Sequence, residues 1–216
     1  MSELFESASL GNDNLVYNPQ NLATENITLL SGQNVVKGEV IGKITLSVPT
    51  TGVAGSGNTG DAACGSVTGG TKTKKGIYNI LCTDATNKKF RVLDPDGYQL
   101  PDAVLDVAYT HEQINFTITD EGTDPAAGDS FAITVAEGSL KYKKAVATSV
   151  DGSNQTQNLR IATNAINATS GDVVGTAYSA GEFNEREITI DSSYRLDGIR
   201  DALRVSGITL KSAIPN

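Results

Sequence analysis

The sequence predicts a mainly β protein that ends on one short helix. Three observations carry this. Apolar residues alternate strictly at Ile114, Phe116 and Ile118 and again at Phe131, Ile133 and Val135, the period of half-buried strands. The chain holds 22 glycines with many Thr, Ser, Asn and Asp, a composition that favours short strands joined by turns. Only near the end does the spacing turn helical, with Leu196, Ile199, Ala202 and Leu203 on one face and Arg195, Asp197, Arg200, Asp201 and Arg204 on the other.

Each element follows in chain order. Residues 1–25 scatter Leu4, Phe5, Leu10, Leu15, Val16 and Tyr17 among Asn, Ser and Glu without a sustained period, which reads as an extended arm, mobile unless a partner holds it. From 27 to 46 the pattern becomes strand-like: Ile27, Leu29 and Leu30 precede the turn Ser31-Gly32-Gln33, and Val35, Val36, Val40, Ile41 and Ile44 follow. Residues 49–61 are small and flexible in composition, the mark of a boundary. A regular strand series fills 62–137, interrupted by Asp94-Pro95-Asp96-Gly97, where Pro fixes φ and Gly supplies a positive one. Strands at this spacing suggest a small sandwich or barrel, and roughly 75–90 residues are enough for a separate core. From Lys141 onward strand patterns return, with a turn at Asp151-Gly152. Ser192 or Ser193 is expected to cap the helix, Gly207 to end it, and Ile208 and Leu210 to form a closing strand.

At 216 residues the chain is long enough for one large β domain or two small ones. Its net charge of −8 argues against nucleic acid over a broad surface, which needs clustered cations. Lys72, Lys74 and Lys75 sit in a Gly-rich turn and read as a solvated loop tip. No apolar run approaches the roughly 18–20 residues that span a bilayer. The opening Met1-Ser-Glu-Leu-Phe5 lacks the basic start and apolar core of a signal peptide, so the expected product stays soluble in a cytoplasm.

Catalytic chemistry is sparse. His111 is the single histidine and reads as an exposed turn residue, which leaves His-based schemes without a base. The letters of GxGxxG occur from Gly55 to Gly60, but no helix pattern follows, so the segment reads as linker. Asp120, Glu121, Asp124 and Asp129 share one inter-strand loop without EF-hand spacing and read as a solvated acidic loop. Cys64 and Cys82 make no zinc set. They stand as a reduced, buried pair or as a disulfide formed after release from the cell. No cofactor and no metal is expected, and no enzyme.

Two stretches resemble the lambda-type bacteriophage head decoration protein family. The first is the run from Ser31 to Ile44, Ser-Gly-Gln-Asn-Val-Val-Lys-Gly-Glu-Val-Ile-Gly-Lys-Ile. The second is Gly181-Glu-Phe-Asn-Glu185 followed by the helix and Gly207-Ile208. The segment between Ile44 and Lys141 is similar to an extra β module of longer phage relatives, inserted as if grown from a hairpin tip, where long insertions are tolerated.

The resemblance implies a small β-rich decoration-protein core with one C-terminal helix plus an inserted β-sandwich or barrel-like domain. The implied division is an N-terminal arm (1–26), a discontinuous core (27–47 and 141–216) and the insert (48–140). It implies a homotrimer at three-fold positions on the outside of a phage capsid, partnered by the major capsid protein, cementing the expanded head. The protein would reside on the virion, after passing through the host cytoplasm during assembly. The family's capsid-binding arm maps to the region carrying Phe5, Leu10, Leu15, Val16 and Tyr17. That region's alternative is a plain disordered tail. A competing reading is a virion-surface adhesin whose insert recognises host glycans, although the insert contains no Trp.

Overall fold

The computed structural model describes residues 14–212. The chain runs β1 (Val16–Leu29), β2 (Gln33–Val35) and β3 (Val40–Lys43). It continues through β4 (Leu46–Ser47), β5 (Val53–Ala54), β6 (Ala63–Gly69), β7 (Gly76–Asp84), β8 (Lys89–Leu93), β9 (Gln99–Val104), β10 (Ile114–Thr119) and β11 (Ser130–Glu137). It ends with β12 (Tyr142–Lys144), β13 (Leu159–Ala162), β14 (Ile166–Ala168), β15 (Val173–Asn184), α1 (Leu196–Val205) and β16 (Ile208–Lys211).

The first and last groups build one base. Its strand pairings close on themselves. β1 pairs with β12 at Leu29↔Tyr142, β12 with β3, β3 with β13, β13 with β15, and β15 returns to β1. Closure removes the open edges that an isolated short sheet would present. β15 outruns β13, and β16 takes the edge it leaves, in parallel register from Gly181↔Ile208 to Asn184↔Lys211.

Alternation along these strands supplies two apolar faces. Ile41, Ala162 and Ala177 join Ile27, Leu29 and Tyr142 under the β2–β14 ribbon. Val40, Ile161 and Phe183 join Leu15, Ile199, Leu203 and Ile208 under α1. The helix buries Ile199 and Leu203 of the stripe its spacing promised, with Ala202 half-buried, while Leu196 at its first turn stays 40% exposed. Its start differs from expectation: Arg195 is the first flanking residue and no side chain caps it. The Ser193 hydroxyl is committed elsewhere, accepting the Ala147 N–H at 2.9 Å, and this ties the approach to the helix to the base instead. The end is as expected, with Gly207 at φ 90° and its N–H donating to the Arg204 carbonyl.

The insert is a two-layer sandwich. One layer is β4, β11, β7, β8 and β9, with β5 also on β11, and the other is the β6–β10 pair. Tyr78, Ile80, Phe90, Val92, Phe131 and Ile133 face Cys64, Val67, Ile114, Phe116 and Ile118 across a single core. The Asp94–Gly97 turn forms as predicted and joins β8 to β9, with the Gly97 N–H on the Asp94 carbonyl at 2.9 Å. The segment read as a flexible linker is instead tied down: the Thr59 and Gly60 N–H groups donate to the Asp129 carboxylate, and Asn58 exchanges hydrogen bonds with the Ser130 backbone.

Base and insert meet across a fixed junction. Asp151 accepts the Thr45 and Leu46 N–H groups on its carbonyl, both at 3.0 Å, where the chain leaves the base. Its carboxylate takes the Ser153 N–H and hydroxyl and an ion pair from Lys143 at 2.6 Å. Gly42 lets this loop approach, since a Cβ there would lie 1.8 Å from the Ser153 carbonyl oxygen. Asn154 and Gln155 then donate to the Thr71 and Thr73 carbonyls of the insert.

Candidate functional site

The residues expected to form the arm divide into four sets. Phe5 and Leu10 lie outside the described residues. Leu15 is 3% exposed and belongs to the chain's own core beside Val40 and Phe183, with its carbonyl accepting the Asn184 N–H at 2.9 Å. Val16, half-buried, pairs in register with Phe183. Tyr17 is 52% exposed. Residues 16–26, grouped with a mobile arm on sequence grounds, form the first part of β1 and are held by β15. Their lack of an apolar period has a physical cause. Along Pro19, Gln20 and Asn21 the ribbon is exposed on both faces, and register shifts flank this stretch, so neither face needs apolar residues there.

Where β1 rejoins the core, one polar contact locks the ring. The Glu25 carboxylate accepts the Tyr142 hydroxyl at 2.6 Å and the Arg160 Nε at 2.8 Å, so β1, β12 and β13 share one site. Burial pushes the Glu25 carboxyl up, but the Tyr142 and Arg160 donors outweigh it and hold the group below its ordinary value. Burial and the adjoining carboxylate push the Tyr142 phenol up. No sequence signal marked these partners, because Glu25 sat in the expected arm and Arg160 in an ordinary strand.

The residues weighed for chemistry resolve into structural roles. The His111 Nδ1 accepts the Gln113 N–H, and its own N–H donates to Asn115, so it is half-buried in a turn rather than exposed. Lys74 is not a free loop-tip cation: its Nζ lies 2.6 Å from both Asp94 and Asp96. Lys72 pairs with Glu112 at 2.8 Å. Of the acidic loop, Asp124 pairs with Lys88 at 2.6 Å. Asp129 is buried, which raises its carboxyl, but N–H donors from Thr59, Gly60 and Ala126 bring it below its usual range. Among the described residues no group of three or more His, Cys, Asp or Glu is placed to hold a metal ion. Cys64 and Cys82 are free and buried in the insert's core. They sit in opposite layers, on β6 and β7, which pair with other strands and not with each other. Among the described residues no helix is long and apolar enough to cross a membrane.

Comparison with known proteins adds the family. Two crystal structures of Xanthomonas campestris FlgL, in space groups H3 and C2, are similar to parts of the chain at 18% and 16% identity. They cover 51% and 54% of this chain, which spans only 34% and 33% of theirs, with TM-scores of 0.34 and 0.33. Scores of that size define no shared fold. No curated protein matches. The model of the bacteriophage lambda head decoration protein D family, by contrast, matches residues 5–208, from within the N-terminal region through the base, the insert and the helix to the first residue of β16. A match over nearly the whole of this mainly β chain places it in a structural family of the phage capsid: the chain belongs to the bacteriophage lambda head decoration protein D family.

Proposed function

We propose that this head decoration protein cements the expanded capsid as a homotrimer at three-fold positions, each subunit gripping the major capsid protein through its N-terminal segment. The observation that carries the reading is the anchoring of Leu15 and Val16 against Phe183, with exposed Tyr17 beside them. Chain preceding Leu15 therefore starts from a fixed point on a closed base. In this reading Phe5, Leu10 and Tyr17 meet the shell, while Leu15 and Val16 transmit the load to the core.

The mechanism is strand addition. Backbone hydrogen bonds supply affinity and alternate side chains fill pockets on the partner. A segment that orders on binding loses conformational entropy, which lowers the affinity of one arm. Three arms on one trimer offset this, because the second and third bind at high effective concentration. The ring closed by Glu25 and Arg160 and the braced Asp151 loop suit a protein under mechanical load. No step of this function is catalytic.

The test is cosedimentation of purified protein with undecorated expanded capsids, alongside a light-scattering mass for the free protein. Saturation near three copies per three-fold site and a trimer mass support the reading. Failure to bind capsids contradicts it.

A further inference from the structure

The outer face of the insert carries a concavity of about 310 Å³ on β5, β11, β7 and β8. Register sets its contents. Ser130, Leu81 and Arg91 lie in one row across β11, β7 and β8, and Ala132, Asn79 and Leu93 in the next. Leu81, Leu93 and Val53 supply apolar walls, and Val53 on β5 is 70% exposed. A volume near the lower end of ligand pockets suits a single small unit rather than a long chain.

Arg91 is the unusual member. Its neighbours along the strand, Phe90 and Val92, are fully buried in the core, and Arg91 projects from the opposite face into the concavity. Its Nε is buried and has no hydrogen-bond partner, and among the described residues its guanidinium has no ion pair. Asp102, near it on β9, is engaged by Gln99 at 3.3 Å. The Asn79 side chain, exposed on β7, and the half-buried Ser130 on β11 line the same concavity. A guanidinium fork is shaped for a carboxylate, and with no ion pair among the described residues the terminal N–H groups of Arg91 remain for a ligand that carries one.

We infer that this concavity binds an acidic sugar, its carboxylate on Arg91, its hydroxyl groups on Asn79 and Ser130, and an apolar flank against Leu81, Leu93 and Val53. Binding is a property of the free protein and does not require capsid attachment. A decorated head would then display one such site per subunit.

The test is amide NMR of the full-length protein titrated to tens of millimolar with N-acetylneuraminic acid, glucuronic acid, N-acetylglucosamine and isobutyrate. The expected result is saturable shifts confined to residues 79–81, 91–93 and 130–132 with either acidic sugar. N-acetylglucosamine should produce none, and isobutyrate only weaker ones. Arg91→Met should weaken the acidic sugars about tenfold or more by removing a charge-assisted contact, and Asn79→Ala, at an exposed position, should weaken them severalfold. Both variants are checked by their thermal midpoints. No saturable shift with either acidic sugar, equal shifts with N-acetylglucosamine, unchanged affinity in a folded Asn79→Ala and Arg91→Met, or isobutyrate binding as tightly as the sugars would each overturn the inference. None of these outcomes bears on capsid cosedimentation.

Discussion

Glu25 and Arg160 stand 135 residues apart in sequence and 2.8 Å apart in the fold. Their contact, shared with the Tyr142 hydroxyl, closes a ring of strands that begins in the N-terminal third and ends in the C-terminal half. The insert is strung between the two halves of that ring, so the base forms only when segments from both sides of the insert come together.

Glu25→Gln should destabilise the fold by about 1 kcal/mol, since the pair is part-exposed and solvent screens it. The carboxyl is held below its ordinary value in the folded state. Its contribution is therefore complete above the unfolded-state pKa of about 4.3 and is lost as pH falls through the folded value. Urea midpoints of the two proteins should differ at pH 7 and converge in acid.

Gly42→Ala should be among the most damaging single changes, at about 3 kcal/mol or more. The new Cβ would meet backbone atoms of Ser153, held by Asp151, rather than the end of a flexible side chain. A thermal midpoint within a degree of the parent would refute the close approach.

Asp129→Asn should loosen the 55–60 segment. One carboxylate now accepts three backbone N–H groups and an amide presents a single acceptor oxygen, so the loss should be about 2 kcal/mol. Hydrogen exchange at Thr59, Gly60 and Ala126 should accelerate more than at the β10 amides.

Both cysteines should be thiols in the folded protein and slow to react. Burial pushes the Cys64 thiol up to about 11 and raises Cys82 as well. Iodoacetamide at pH 8 should label neither until denaturant is added, and then both. Rapid native labelling, or no labelling after denaturation without reductant, would contradict the packed, reduced pair.

The parts legible in the sequence were those governed by local rules. The alternations at Ile114–Thr119 and Ser130–Glu137 match strands whose inward residues are buried, and the stripe at Leu196, Ile199 and Leu203 matches the helix. The helix start was misread because Ser193 spends its hydroxyl on Ala147, a partner 46 residues away that no capping rule sees. β1 was hidden for a related reason: its partner lies beyond the insert, and its exposed ribbon needs no apolar alternation. Of the expected arm residues, Leu15 carried the same apolar signal as Phe5 and Leu10, yet it is consumed by this chain's own core. Arg91 looked like any outward polar residue of an alternating strand. Only the register beside Leu81 and Ser130 distinguishes it.

The central claim is that the segment preceding the Leu15 anchor grips the capsid. The most direct measurement compares full-length protein with a variant lacking residues 1–13, which spares Leu15 and β1, in cosedimentation with undecorated expanded capsids. The account predicts saturable binding by the full-length protein and loss of binding by a truncation that keeps its fold and thermal midpoint. Equal binding by the two would contradict it and move the capsid contact onto the base itself.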